Sequence, residues 1–208
     1  MLQDKVSPTA SHLEKRLVSA LQKGDSGAFE RMVRLHQDRV YGLCLRMLGN
    51  PAEAEDLAQE VFLTVFNAIG RFRGDSLLST WIYRITRNHC LNRIKFLKRR
   101  AHDKKRPIED LREADLSGDS LHSSLGSRMS RPDHLAEGRQ METIIQEQIG
   151  KLSADHRELV VLRDIEQLSY EEIQQITGLA SGTIKSRLHR ARMELACLMA
   201  PFLCENGG

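Results

Sequence analysis

Four Lys or Arg side chains stand between residues 181 and 192 without a single acid among them. In the same stretch Ile184, Leu188, Ala191 and Leu195 recur at spacings of four, three and four. On a helix that spacing gathers the four apolar residues on one face. Lys185, Ser186, His189 and Arg190 then share the opposite face, with Arg187 and Arg192 further round. Cations and hydroxyls in that arrangement donate hydrogen bonds to base edges in a major groove. A good bidentate pair contributes roughly 1–3 kcal/mol of discrimination. The two outlying arginines face phosphate. The competing reading is a solvated basic face on a helical hairpin. The preceding residues weigh against it: Ser169-Tyr170-Glu171-Glu172 is a capping box that opens a short helix, and Gly178-Leu179-Ala180 forms a turn. A capped helix, a tight turn and a basic helix opening at Ser181 and Thr183 together match a helix-turn-helix.

A second cluster has the opposite charge. Four acids and no base lie between residues 52 and 60. Asn50-Pro51-Ala52-Glu53 is a strong helix start, with Asn as cap, Pro at the first position and an acid three residues after the cap. Projected as a helix to about Ala68, this segment places Ala54, Leu57, Ala58, Val61, Val65 and Ile69 in the core. Asp56, Gln59, Leu63 and Asn67 fall on the other side, and Phe66 also lies outside the core stripe. An apolar anchor with a polar rim is the composition of a protein-binding patch. Further on, Phe72, Trp81 and Tyr83 interleave with Arg71, Arg73, Arg84 and Arg87. Aromatic faces stack on unpaired bases while cations follow the backbone. Trp81 itself reads better as core, beside Ile82 and Ile85.

The net charge of +3 over 208 residues conceals segregation, since residues 71–106 hold twelve Lys or Arg against Asp75 and Asp103. Such sorting points to two different partners, one of them polyanionic. Nearly every periodic segment reads as helix, with no convincing strand alternation. A first short stripe (Leu13, Leu17, Ala20, Leu21) ends at Gly24, and a longer one from Phe29 to Met47 closes at Gly49. A helix opening at Ser79 continues into the basic run around Lys98. Residues 101–131 then turn Ser-rich, with too few apolar side chains to offset ordering entropy, and read as a flexible linker. The expected fold is all-α: two small helical domains joined by that linker. The expected boundaries are a tail at 1–12, domains at 13–100 and 137–200 around a linker at 101–136, and a tail at 201–208.

Cys44, Cys90, Cys197 and Cys204 are widely spaced and form no Cys-x-x-Cys pair, so metal or redox wiring is not expected. His89 beside Cys90 has no further ligands at metal-binding spacing. No stretch approaches the roughly 18 apolar residues of a membrane span. Residues 1–10 carry neither the basic start nor the apolar core of an export signal. The expectations are a cytoplasmic chain with no cofactor, no small-molecule substrate and no span of its own.

Five motifs carry a family resemblance. Ala54-Glu55-Asp56-Leu57-Ala58-Gln59-Glu60-Val61-Phe62, Phe72-Arg73-Gly74-Asp75-Ser76 and Thr80-Trp81-Ile82-Tyr83-Arg84-Ile85 resemble conserved region 2 of the sigma-70 family of bacterial RNA polymerase sigma factors. Leu168-Ser169-Tyr170-Glu171-Glu172-Ile173 with Gly182-Thr183-Ile184-Lys185-Ser186-Arg187-Leu188-His189-Arg190-Ala191-Arg192 resembles region 4. The resemblance covers about residues 13–98 and 140–199, and two regions joined by a short linker is the layout of the extracytoplasmic-function group. It implies that Asp56, Gln59, Glu60, Leu63 and Asn67 dock on the coiled coil of the polymerase β′ subunit, with the β subunit as a further partner. It implies that Arg71, Phe72, Arg73, Gly74, Asp75 and Ser76 hold a base flipped from the −10 element, with Arg84, Arg87 and Asn88 on nearby DNA. The −35 element would meet Ser181, Thr183, Lys185, Ser186, Arg187, His189, Arg190 and Arg192. The resemblance further implies an anti-sigma factor, often membrane-bound, and a nucleoid location when the chain is part of holoenzyme.

A stand-alone helix-turn-helix regulator would share the C-terminal motif, but would leave the acidic helix and the Arg-rich module unexplained and would usually dimerise on a palindrome. A nucleic-acid enzyme lacks support, because no paired carboxylates, His cluster or phosphate-cradling Gly loop are present. Two small DNA-facing modules on one chain make few phosphate contacts each, and tethering raises the effective concentration of both. The free chain is therefore expected to bind promoter DNA weakly and core polymerase to make that binding specific. Gel shifts with and without core polymerase measure this, and tight specific binding by the free chain would contradict it.

Overall fold

The computed structural model describes residues 8–103 and 132–204, and every regular element among them is helical. Four helices form the first module: α1 (Pro8–Gln22), α2 (Ser26–Leu48), α3 (Pro51–Ala68) and α4 (Leu78–Asp103). The second comprises α5 (Pro132–Lys151), α6 (Ala154–Val160), α7 (Tyr170–Thr177) and α8 (Ser181–Cys204). A 3₁₀ turn (Ile69–Arg71) follows α3, and a π-helical turn (Val161–Ile165) extends α6. Several element ends differ from the sequence reading. α1 opens at Pro8, within the expected N-terminal tail; proline suits a first turn. α4 and α5 run into both ends of the expected linker, whose residues 104–131 lie outside the described residues. α8 passes Pro201 and ends at Cys204 rather than near Met199, because the bond lost at that proline is one of the helix's last.

Local chemistry fixes the corners. Gly49, at φ 72°, donates its N–H to the Leu45 carbonyl at 2.8 Å and closes α2. The next residue, Asn50, accepts from the Glu53 N–H at 3.1 Å and opens α3. Asp25 caps α2 in the same way through the Ala28 N–H at 3.0 Å. In the second module both halves of the Ser169–Glu172 capping box form, at 3.2 and 2.8 Å.

Between α2, α3 and α4 lies a core built on Met32, Leu43, Met47, Leu57, Val61 and Ile82. The whole stripe expected on α3, from Ala54 to Ile69, is buried. Leu13 departs from its expected stripe: Leu17 and Ala20 pack on the core, but Leu13 stays 61% exposed. The same buried cluster continues into the second module through Ile149, Leu159, Leu162, Ile173, Ile184 and Leu188. Sγ of Cys44 and Cys90, both buried, approach to 3.9 Å across α2 and α4 as free thiols.

The two modules also pack on each other, which the sequence did not disclose. Arg87 on α4 donates from Nε to Glu158 Oε1 at 2.6 Å and from Nη2 to Oε2 at 3.3 Å. Tyr83 donates its hydroxyl to Glu166 at 2.6 Å. Gln146 donates to the carbonyls of Leu45 and Arg46, and Arg157 to that of Met47, at the C-terminal end of α2. Burial pushes the Glu158 carboxyl above its usual range, and the Arg87 guanidinium opposes that shift without reversing it. Tyr83 is pushed up as well, by burial first and then by the hydrogen bond to Glu166.

Removing one member of a buried ion pair destabilises by about 3–5 kcal/mol when the other stays buried. Here separation of the modules would rehydrate Arg87, so the deletion should loosen the interface rather than unfold either core. Glu158→Ala is expected to broaden the distance distribution between spin labels on the exposed positions Asn92 and Met193. An unchanged distribution would contradict this.

Candidate nucleic-acid interface

α8 stands in its socket through Ile184, Leu188 and Ala191, all at most 1% exposed. The turn before it depends on Gly178, at φ 73°, where side chains are strained. With that stripe fixed, Lys185, Ser186, His189 and Arg190 all project into solvent, as their spacing predicted. Ser186 donates to the Thr183 carbonyl at 3.1 Å, and Arg190 leans on the Ser186 carbonyl at 3.4 Å. Lys185 lies 5.5 Å and Arg163 4.8 Å from the ring centre of Tyr170, which holds both cations near the start of α7. Ser181 and Thr183 are half-buried at the amino end of α8.

Arg187 and Arg192 behave differently. Arg187 pairs with Asp155 at 3.4 Å, and Arg192 pairs with Asp164, its Nε at 3.0 Å from Oδ2. Both acids belong to the α6 segment, so these arginines brace α8 against it. The Asp164 hydrogen bond is also the main reason the Arg192 guanidinium holds its proton more tightly than usual. Exposed pairs of this kind contribute about 0–1 kcal/mol, so a phosphate can replace the acid.

In the first module the loop after α3 brings Arg71, Arg73, Gly74 and Asp75 to the surface, with Ser76 half-buried. Gly74 adopts φ 76° at its tip. Phe72 corrects the expectation of a DNA-facing aromatic: it is 8% exposed and packs on Trp81 with ring centres 5.1 Å apart. Tyr83 is also turned inward, and Trp81 is half-buried. The aromatic residues that composition offered as a stacking surface therefore mostly support the loop from beneath. Arg84 and Asn88 are exposed on α4, whereas Arg87 is drawn into the Glu158 pair and touches Asn88 at 3.2 Å. The sequence reading missed α1 as a wall of this region. Gln22 donates to the Phe72 carbonyl at 2.8 Å, and only the matching three-to-four spacing of polar residues on α1 hinted at such a contact.

On α3, Asp56, Gln59, Leu63 and Asn67 all lie on the exposed face, with Leu63 64% exposed. Phe66, 54% exposed, meets Phe29 edge-on at 5.0 Å and enlarges the apolar centre of the patch. Glu60 belongs only in part to this face. Arg93 clamps Glu60 at 2.7 Å and also grips Glu53, and His89 lies 3.9 Å from Glu60, so that edge ties α3 to α4.

Among the described residues no helix is long and apolar enough to cross a membrane, and no group of three or more His, Cys, Asp or Glu is placed to hold a metal. Two family descriptions match the chain, sigma-70 region 2 over residues 32–100 and sigma-70 region 4 over residues 142–195. The ECF RNA polymerase sigma factor SigW of Bacillus subtilis is 36% identical over 87% of this chain and 94% of its own length. The RNA polymerase sigma-H factor of Pseudomonas aeruginosa is 34% identical over 92% of this chain and 96% of its own. Among solved structures, the sigma factor RpoE of Bartonella quintana, in complex with the anti-sigma factor NepR, shares the fold with a TM-score of 0.61. That match has 24% identity and covers 83% of this chain and 96% of that one. With both modules matched in order and nearly the full length of SigW covered, the chain belongs to the extracytoplasmic-function group of the sigma-70 family of RNA polymerase sigma factors.

Proposed function

We propose that this sigma factor divides its work among three surfaces, each carried by one helix face or loop. As a member of its family it is a transcription initiation factor and not an enzyme, and it acts with core RNA polymerase on promoter DNA. Matches to both regions favour this over a stand-alone regulator, which would need only the helix-turn-helix. In our assignment residues 13–100 serve as region 2 and residues 137–200 as region 4. Asp56, Gln59, Leu63 and Asn67, with part of Glu60, dock on the β′ coiled coil. The observation that carries the assignment is Leu63, a large apolar side chain 64% exposed at the centre of a ring of acids and amides.

The loop at Arg71, Arg73, Gly74, Asp75 and Ser76 holds an unpaired base of the −10 element, with Phe72 as its buried support. Arg84, Asn88 and Arg87 follow the adjacent backbone. Lys185, Ser186, His189 and Arg190 read the −35 element, with Ser181, Thr183, Arg187 and Arg192 positioned for phosphate. Opening DNA opposes stacking of about 1.4 kcal/mol per step, and capture of each unpaired base returns about 1–3 kcal/mol. Steps such as TA that unstack easily lower the barrier further. Arg87 can bind phosphate only after Glu158 releases it, so engagement of both elements works against the packing between the modules. Polymerase supplies the difference by holding both surfaces near their elements.

We assign an anti-sigma factor as a further partner. The support is family membership together with the solved RpoE complex, a protein of the same fold. We place the chain's action in the cytoplasm, at the nucleoid when it is part of holoenzyme, with any membrane attachment supplied by that partner.

Leu63→Glu is expected to weaken competition for core polymerase at least tenfold while circular dichroism stays unchanged; undiminished competition would remove the patch assignment. Arg190→Ala is expected to lower transcription about tenfold on templates that depend on a −35 element, the discrimination of one good base contact. Equal losses on templates lacking that element would contradict the −35 assignment.

A further inference from the structure

Loop 72–77 and α1 enclose an open cleft of about 550 Å³. That is within the roughly 300–1,000 Å³ of small-ligand sites. From α1 it is lined by Glu14, Lys15, Val18, Ser19 and Gln22, which share one helical face. Two of these hold the loop in place. Glu14 accepts from the Leu78 N–H at 2.5 Å, just after the loop, and Gln22 donates to the Phe72 carbonyl at 2.8 Å, where the loop begins. Lys15 and Ser19 lie between those two anchors, one turn apart, and neither side chain has a partner among the described residues. They are exposed, aimed at the cleft, and unused by the fold.

We propose that Lys15 and Ser19 are specificity-determining residues for the unpaired −10 base, forming the second wall of the pocket whose first wall is the loop. This rests on the base-holding role assigned to the loop above. The α1 wall presents an ammonium, which only donates, and a hydroxyl, which donates and accepts. Val18 supplies an apolar surface for a base face. Asp75, which also lines the cleft, only accepts. A base with an acceptor beside an exocyclic amine, such as cytosine or adenine, satisfies both walls at once. Thymine has no exocyclic amine and can offer Asp75 only its ring N3–H, set between two carbonyls, so it meets the two walls in a different geometry. The selectivity of the site is therefore set partly by a helix outside the stretch that matches the region 2 family, which begins at residue 32.

The test is run-off transcription by core polymerase with the full chain, on a promoter located by start-site sequencing. Each position of the −10 element is changed in turn to all four bases. Wild type, Lys15→Gln, Ser19→Ala and Asp75→Asn are compared, with circular dichroism and core capture confirming that each variant folds. The expected result is that Lys15→Gln and Ser19→Ala change the yield ratios among the four bases about tenfold at one position and leave the other positions alone. Unaltered ratios in both α1 variants would overturn the proposal, as would an equal loss on every template with Lys15→Gln, the signature of phosphate neutralisation. If Asp75→Asn changes a ratio and the α1 variants do not, only the α1 wall is lost. If none of the three changes any ratio, the base-holding role of the loop fails with it.

Discussion

A helix that buries one stripe of side chains must present the opposite stripe, and that constraint governs both binding helices here. Leu57, Val61 and Val65 are at most 1% exposed, and each such side chain contributes about 1.5–3 kcal/mol when taken out of water. The Arg93 clamp on Glu53 and Glu60 is partly solvated, and pairs of that kind contribute about 0–1 kcal/mol. Burial therefore sets the rotation of α3 about its axis, and the clamp only limits how it slides along α4. Once the rotation is set, Leu63 has no choice but to face outward. The same reasoning applies to α8, where Ile184, Leu188 and Ala191 fix the direction of Lys185, His189 and Arg190. A change in either apolar stripe would turn a recognition face away from its target without touching a recognition residue.

Charge works on a second level, between modules. Glu158 and Glu166 offer the first module carboxylates where DNA would offer phosphates, and Arg87 and Tyr83 donate to them. Glu158 is 4% exposed in its side chain, and the Arg87 guanidinium opposes the upward push that burial exerts on its carboxyl. The pairing links the two modules, yet it draws on a residue suited to nucleic acid. Surface pairs such as Arg187 with Asp155 repeat this arrangement in weaker form.

What the sequence disclosed follows from how local each signal is. Gly49, Asn50 and Pro51 act within one turn, so the corner between α2 and α3 was legible residue by residue, as was the Ser169 capping box. Helical periodicity likewise gave the exposed faces of α3 and α8 in full. Orientation across elements was not legible. Arg87 and Glu158 are 71 positions apart, and Tyr83 and Glu166 are 83 apart, so no window of sequence holds both partners. Phe72 was misplaced for a related reason: its burial depends on Trp81 arriving from the next helix, whereas its neighbours Arg71 and Arg73 suggested a surface. The acid Glu158 beside the apolar run from Leu159 to Leu162 was the one available clue that a buried partner was needed.

The central claim is that these faces become a promoter-reading device only when mounted on polymerase. Core polymerase freed of its own specificity subunit, combined with this chain on fragments of genomic DNA, tests it most directly when the 5′ ends of the transcripts are sequenced. The account predicts initiation at a small set of defined positions that share two spaced elements and vanish when the chain is omitted. Capture of the chain without defined starts, or starts identical to those of core polymerase alone, would contradict it.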